Sequence, residues 1–88
     1  MPTETIEQYA IDLDERLTSH ALAGLGPVTI GHGVRLDFEL AVITTLAEMA
    51  LLNRRHERGA WVDQAREHQV WADIEHLHWL AEFRETRR

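Results

Sequence analysis

Residues 36–52 read LDFELAVITTLAEMALL, and twelve of these seventeen residues are apolar. At about 100° per residue, the apolar side chains go most of the way round a helix. The polar residues Asp37, Thr44 and Glu48 share one narrow stripe. A helix of this kind needs burial on nearly every side, and a chain of 88 residues has few other elements to cover it. The stretch therefore predicts a helix and favours self-association.

Length and composition restrict the protein further. A chain of 88 residues forms one domain, near the size at which a single core supplies only a few kcal/mol of net stability. There is no cysteine, so neither a disulfide nor a thiolate metal site can stabilise the fold. Oligomerisation is the remaining source of additional stability, and we expect a homodimer.

The charge balance argues against nucleic-acid binding. Fifteen acidic residues face nine basic ones, all arginine, for a net charge of −6. Binding to phosphates needs a net positive charge, so we expect no direct contact with nucleic acid.

The N-terminal MPTETIEQY lacks the basic and apolar segments of a signal peptide, and residues 36–52 are too short and too acidic to span a bilayer. We expect a cytoplasmic protein that does not enter the membrane.

Apolar spacing predicts the first helix and glycines end it. Ile6, Tyr9, Leu13 and Leu17 recur at intervals of three and four residues, which predicts an amphipathic helix over residues 4–22. Residues 23–35 contain four of the five glycines and one proline, so they form a loop or a short hairpin. In the hairpin alternative, residues 28–30 and 34–36 pair around a Gly-His-Gly turn.

Two further helices are predicted, giving an all-α, three-helix domain that dimerises into a helical bundle. The second helix covers residues 37–58, with Asp37 as its N-cap and Gly59 in a favourable C-terminal position. The third covers residues 60–84.

The third predicted helix has two apolar faces separated by charged stripes. The first contains Trp61, Val62, Ala65, Ala72, Trp79, Leu80 and Phe83, and the second contains Val70, Trp71, Ile74, Leu77 and Ala81. A helix with two apolar faces packs against two surfaces, here its own chain and a partner. The alternative is that one chain covers both faces. The residues predicted at the interface are Val70, Trp71, Ile74, Trp79, Leu80 and Phe83.

Histidines offer the only candidate metal site. The third helix carries His68, Glu75, His78 and Glu82 within one arc, and Glu75-x-x-His78 has the spacing used at di-iron sites in helical bundles. Such a site needs a second copy of the motif, which a homodimer would supply. The alternative is that these residues form solvated pairs on a helix face, and for that reason we expect no cofactor.

Function is predicted to be non-enzymatic. The chain has no cysteine, a single serine and no nucleophile-elbow or phosphate-loop motif. His32, between two glycines, is placed to contact a ligand or partner, or is simply exposed at a turn. We expect a small acidic interaction or regulatory module. The alternatives are a phage- or mobile-element-type inhibitor of a basic target, of the size and charge seen among anti-CRISPR proteins, and a dimer that binds a divalent metal or a di-iron centre.

Overall fold

The computed structural model describes residues 3–87, which form three helices and one β-hairpin. The order is α1 (Thr3–Thr18), β1 (Pro27–Ile30), β2 (Val34–Asp37), α2 (Phe38–Glu57) and α3 (Gln64–Thr86). The prediction of three helices is confirmed. The all-α class is wrong in its strict form, because the segment between α1 and α2 folds as the hairpin and not as an irregular loop.

The hairpin is antiparallel, and its register pairs Val28 with Leu36 and Ile30 with Val34. Val28 and Ile30 are buried and the residue between them is exposed, which is the alternation of a strand with one covered face. Gly31 and Gly33 adopt φ of +58° and +96° within the turn, on either side of His32. Glycine takes up such angles without a Cβ clash, so these two residues allow the chain to reverse.

α1 ends four residues before its predicted end. His20 adopts a left-handed φ of +60° directly after the helix. The amide of Ala21 donates to the carbonyl of Arg16 at 2.9 Å, and that of His20 donates to Leu17 at 3.2 Å. These two bonds form a Schellman motif, which satisfies the free carbonyls of the last turn. The helix therefore closes at a histidine, a residue that the sequence pattern does not mark as a stop.

α2 lies within one residue of its predicted limits at each end. Gly59 adopts φ +67°, its amide donates to His56 at 3.1 Å, and the amide of Ala60 donates to Arg55 at 2.9 Å. The predicted glycine stop is thus the second Schellman motif of the fold. Asp37 is the N-cap residue as predicted, but its side chain makes no capping hydrogen bond.

α3 begins four residues later than predicted. Asp63 is its N-cap, and its Oδ1 accepts a hydrogen bond from the amide of Ala65 at 3.0 Å. Trp61 and Val62 therefore lie in the connection before the helix and not on a helix face. Trp61 is 78% exposed.

The core lies where one face of α3 meets α1, α2 and the hairpin. Its fully covered side chains are Ile6, Leu13, Leu22, Phe38, Val42, Val70, Ile74 and Leu77. α3 packs along both α1 and α2, whereas α1 and α2 touch each other less. Among the described residues, no helix is long and apolar enough to cross a membrane.

Candidate functional site

A groove of about 440 Å³ lies between the hairpin tip, α2 and the first half of α3. We call it the hairpin groove. Its apolar lining comes from Ile30, Val34, Leu36 and Val70. Its polar lining comes from His32, Thr44, Thr45, Glu48, Asp63, Arg66, Gln69 and Asp73. The volume is in the range of small-molecule sites.

The hairpin tip is held against α3 by one carboxylate. Asp73 accepts hydrogen bonds from the amide of Gly31 on both carboxylate oxygens, at 3.0 and 3.1 Å. Gln69, one turn earlier on α3, donates to the same carboxylate at 3.1 Å. These contacts fix the edge of the groove where His32 lies exposed. The structure thus places His32 beside a cavity, and whether it contacts a ligand stays a prediction.

Thr45 and the pair of Glu48 with Arg66 give the groove its polar character. Thr45 is only 3% exposed, and among the described residues its Oγ1 has no hydrogen-bond partner. Glu48 on α2 and Arg66 on α3 form an ion pair at 3.4 Å, which joins the two helices that line the groove. Of the polar residues that line this groove, sequence reasoning singled out only His32 as a contact, because the others come from separate elements that meet only in the folded chain.

A second surface is the outward face of α2. Leu40, Ile43 and Leu51 are 49%, 48% and 58% exposed, and Ala47 between them is also exposed. These four residues, at positions i, i+3, i+7 and i+11, follow one line along the helix. We call this line the α2 stripe. In the single chain, α2 therefore keeps a line of exposed apolar side chains that no other described element buries.

The six predicted interface residues divide into three groups. Val70 and Ile74 are 2% and 0% exposed and belong to the core of their own chain. Trp71 and Leu80 are half-buried against that core. Trp79 and Phe83 are 57% and 55% exposed. Val70 and Ile74 thus have no surface to offer a partner, because α3 turns that face inward, whereas contact through Trp79 or Phe83 stays a prediction.

The four predicted metal ligands also separate. His78 Nδ1 lies 3.1 Å from Oδ2 of Asp12, and His78 Nε2 lies 3.5 Å from Oε1 of Glu82. Asp12, His78 and Glu82 place one potential ligand atom each within 4.8 Å of the others. His68 and Glu75 are not part of this group, which is the only such cluster among the described residues. Asp12 was missed because it lies on α1, far away in sequence.

Arg16 already supplies positive charge to this cluster. Its Nε donates to Asp12 at 2.8 Å, its Nη2 lies 3.7 Å from Glu82, and its Nη1 pairs with Glu85. Burial lowers the pKa of Arg16, but the hydrogen bond to Asp12 and the charges of Asp12, Glu85 and Glu82 outweigh it, so the pKa is raised. The arrangement joins α1 to α3 as an ion network without needing a metal.

Comparison with known proteins identifies no relative. No protein-family model matches the chain, and no curated protein or solved structure shows significant similarity to it.

Proposed function

We propose that this protein is a small non-enzymatic interaction module that acts as a homodimer through the α2 stripe. The observation that carries the proposal is the run of half-exposed Leu40, Ile43 and Leu51 on one line of a helix. Isolated apolar residues are normal on a protein surface, but a continuous line of them is typical of an interface.

Charge complementarity supports an antiparallel pair of α2 helices. The N-terminal end of α2 carries Asp37 and Glu39, and its C-terminal end carries Arg54, Arg55 and Arg58 with one acidic residue, Glu57, so that end is basic in balance. In an antiparallel pair, the acidic end of each copy faces the basic end of the other. A parallel pair would bring like charges together, which costs free energy. With Ala47 at the two-fold axis, Glu39 of one copy lies level with Arg55 of the other.

The stripe sets the expected strength of association. Complete burial of a Leu or Ile side chain is worth about 1.5–3 kcal/mol, and these three are about half-exposed, so each contributes about 1 kcal/mol. Three from each copy give a gross gain of about 6 kcal/mol, but the loss of translational and rotational freedom offsets about 4 kcal/mol or more of it. The stripe alone therefore predicts weak association, with a dissociation constant in the millimolar range or above. The small Ala47 lets the two helices approach closely.

Analytical ultracentrifugation over micromolar to millimolar protein concentration tests the proposal. Ile43→Glu places a charge in the middle of the stripe and is expected to give a monomer at every concentration. Ile11→Glu is the matched control, because Ile11 is similarly exposed, at 52%, and lies on α1 and not on the stripe. Equal dimerisation of the wild type and Ile43→Glu would contradict the proposal, and so would loss of the dimer in Ile11→Glu.

Charge reversal tests the antiparallel arrangement. Glu39→Arg and Arg55→Glu are each expected to weaken the dimer by placing like charges opposite each other. The double variant restores opposite charges and is expected to recover most of the affinity. If the double variant is weaker than both single variants, the helices do not pair in this direction.

Binding of a divalent metal is the second candidate function, supported by the close approach of Asp12 to His78 and Glu82 within one chain. Carboxylate and imidazole ligands suit zinc, but Arg16 beside them lowers the affinity for any cation. Zinc titration by calorimetry is the test, with Asp12→Asn as the variant and Asp14→Asn, at an exposed position of the same helix, as the control. Stoichiometric zinc binding that only Asp12→Asn abolishes would favour this candidate, whereas absence of binding would exclude it.

A further inference from the structure

We infer that the hairpin groove binds a small amphipathic amine, with its apolar body on Val34 and Leu36 and its ammonium group beside the acidic lining. The inference concerns a different surface from the α2 stripe, and it does not depend on dimerisation.

The groove has an apolar wall that is in contact with water. Val34 is 53% exposed and Leu36 is half-buried, and both line the groove above the buried Ile30 and Val70. At about 440 Å³ the groove is large enough for a ring or a branched alkyl group. An apolar body there would displace water from apolar surface, which is favourable.

Thr45 provides an independent sign of a missing partner. Its side chain is almost fully buried and lines the groove, while its hydroxyl has no partner among the described residues. An unpaired buried hydroxyl destabilises a fold, and valine would fill the same volume without that penalty. In the present rotamer the hydroxyl oxygen is buried, so it meets a donor in the groove only if the side chain turns to its second helical rotamer. An ammonium group is such a donor.

The net charge of the groove lining favours an amine over a carboxylic acid as the ligand. The lining contains the carboxylates of Glu48, Asp63 and Asp73 and the guanidinium of Arg66, a formal charge of −2 with His32 neutral. Arg66 is paired with Glu48, and Asp73 is held by Gly31 and Gln69. Asp63 uses Oδ1 to cap α3. The balance favours a cation and disfavours an anion.

Three probes of matched shape test the charge preference: phenethylamine, phenethyl alcohol and hydrocinnamate. Each is titrated into the full chain while the amide signals of Gly31 and Thr45 are followed by NMR. We expect phenethylamine to bind with a dissociation constant on the order of 1 mM, reasonable for a ligand of about nine non-hydrogen atoms. We expect hydrocinnamate to bind at least about tenfold more weakly. Absence of amine binding, or equal binding of amine and acid, would overturn the inference.

Two variants test the residues. Thr45→Val is expected to weaken phenethylamine at least about fivefold while leaving the free protein as stable or more stable, a combination that a purely structural role would not produce. Thr29→Val, on the exposed side of the hairpin, is the control. Asp63→Asn keeps a capping side chain but removes one charge, so it should weaken the amine and not the alcohol. An unchanged affinity in Thr45→Val or Asp63→Asn would refute the assigned contact.

Discussion

Replacing His20 with glycine should raise the free energy of unfolding by about 0.5–1 kcal/mol. His20 holds φ at +60° as the residue that closes α1. A left-handed conformation costs a residue with a Cβ about 1–2 kcal/mol, and glycine avoids this strain. Glycine also gives the unfolded chain more conformational entropy, which lowers the free energy of unfolding by about 0.5–1 kcal/mol. The difference between these two effects is the expected gain.

Gly59 offers the matched control, because it occupies the same position after α2 with φ +67°. A Cβ built on Gly59 meets no described atom within 4 Å beyond the adjacent residues, so Gly59→Ala adds backbone strain without a steric clash. We expect this variant to lose about 1 kcal/mol. The two substitutions thus have opposite signs at equivalent positions.

Urea denaturation followed by tryptophan fluorescence measures both effects. All variants are compared at one protein concentration, because a dimer makes stability depend on concentration. Thermal unfolding is a second measurement, in which a change of 1 kcal/mol in the free energy of unfolding shifts Tm by about 4–8 °C for a domain of this size. If His20→Gly is less stable than the wild type while Gly59→Ala loses stability as expected, the strain assigned to His20 is refuted.

Three further predictions address the packing of α3. Ile74→Ala should cost about 2–5 kcal/mol because Ile74 is 0% exposed, whereas Trp79→Ala, at 57% exposure, should change the unfolding free energy of the monomer by less than about 1 kcal/mol; chemical denaturation measures both. Arg84→Ala should cost about 1–3 kcal/mol, since Arg84 Nη1 donates at 3.0 Å to the carbonyls of Leu25, just before the hairpin, and Pro27, the first residue of β1. An unchanged Tm in this variant would show that those bonds contribute nothing. Asp73→Ala should speed amide hydrogen exchange at Gly31 selectively, because it removes the acceptor of that amide; an unchanged exchange rate would contradict the anchoring role.

The sequence anticipated the elements whose signals are local. Three helices follow from apolar periodicity, and the limits of α2 follow from Asp37 and Gly59. The hairpin was one of two open alternatives, since β-branched residues beside glycines occur both in strands and in packed loops. Burial of Val28 and Ile30 against the helices decides between them.

What the sequence by itself determined is the number of helices and the excess of apolar surface on α2, because both depend on residues close together in the chain. Only the tertiary structure decided which face of α3 turns inward, since periodicity shows two apolar faces and says nothing about which one meets α1 and α2. The same reason applies to the candidate sites. The hairpin groove and the approach of Asp12 to His78 join residues of different elements, and their proximity exists only once the helices have packed.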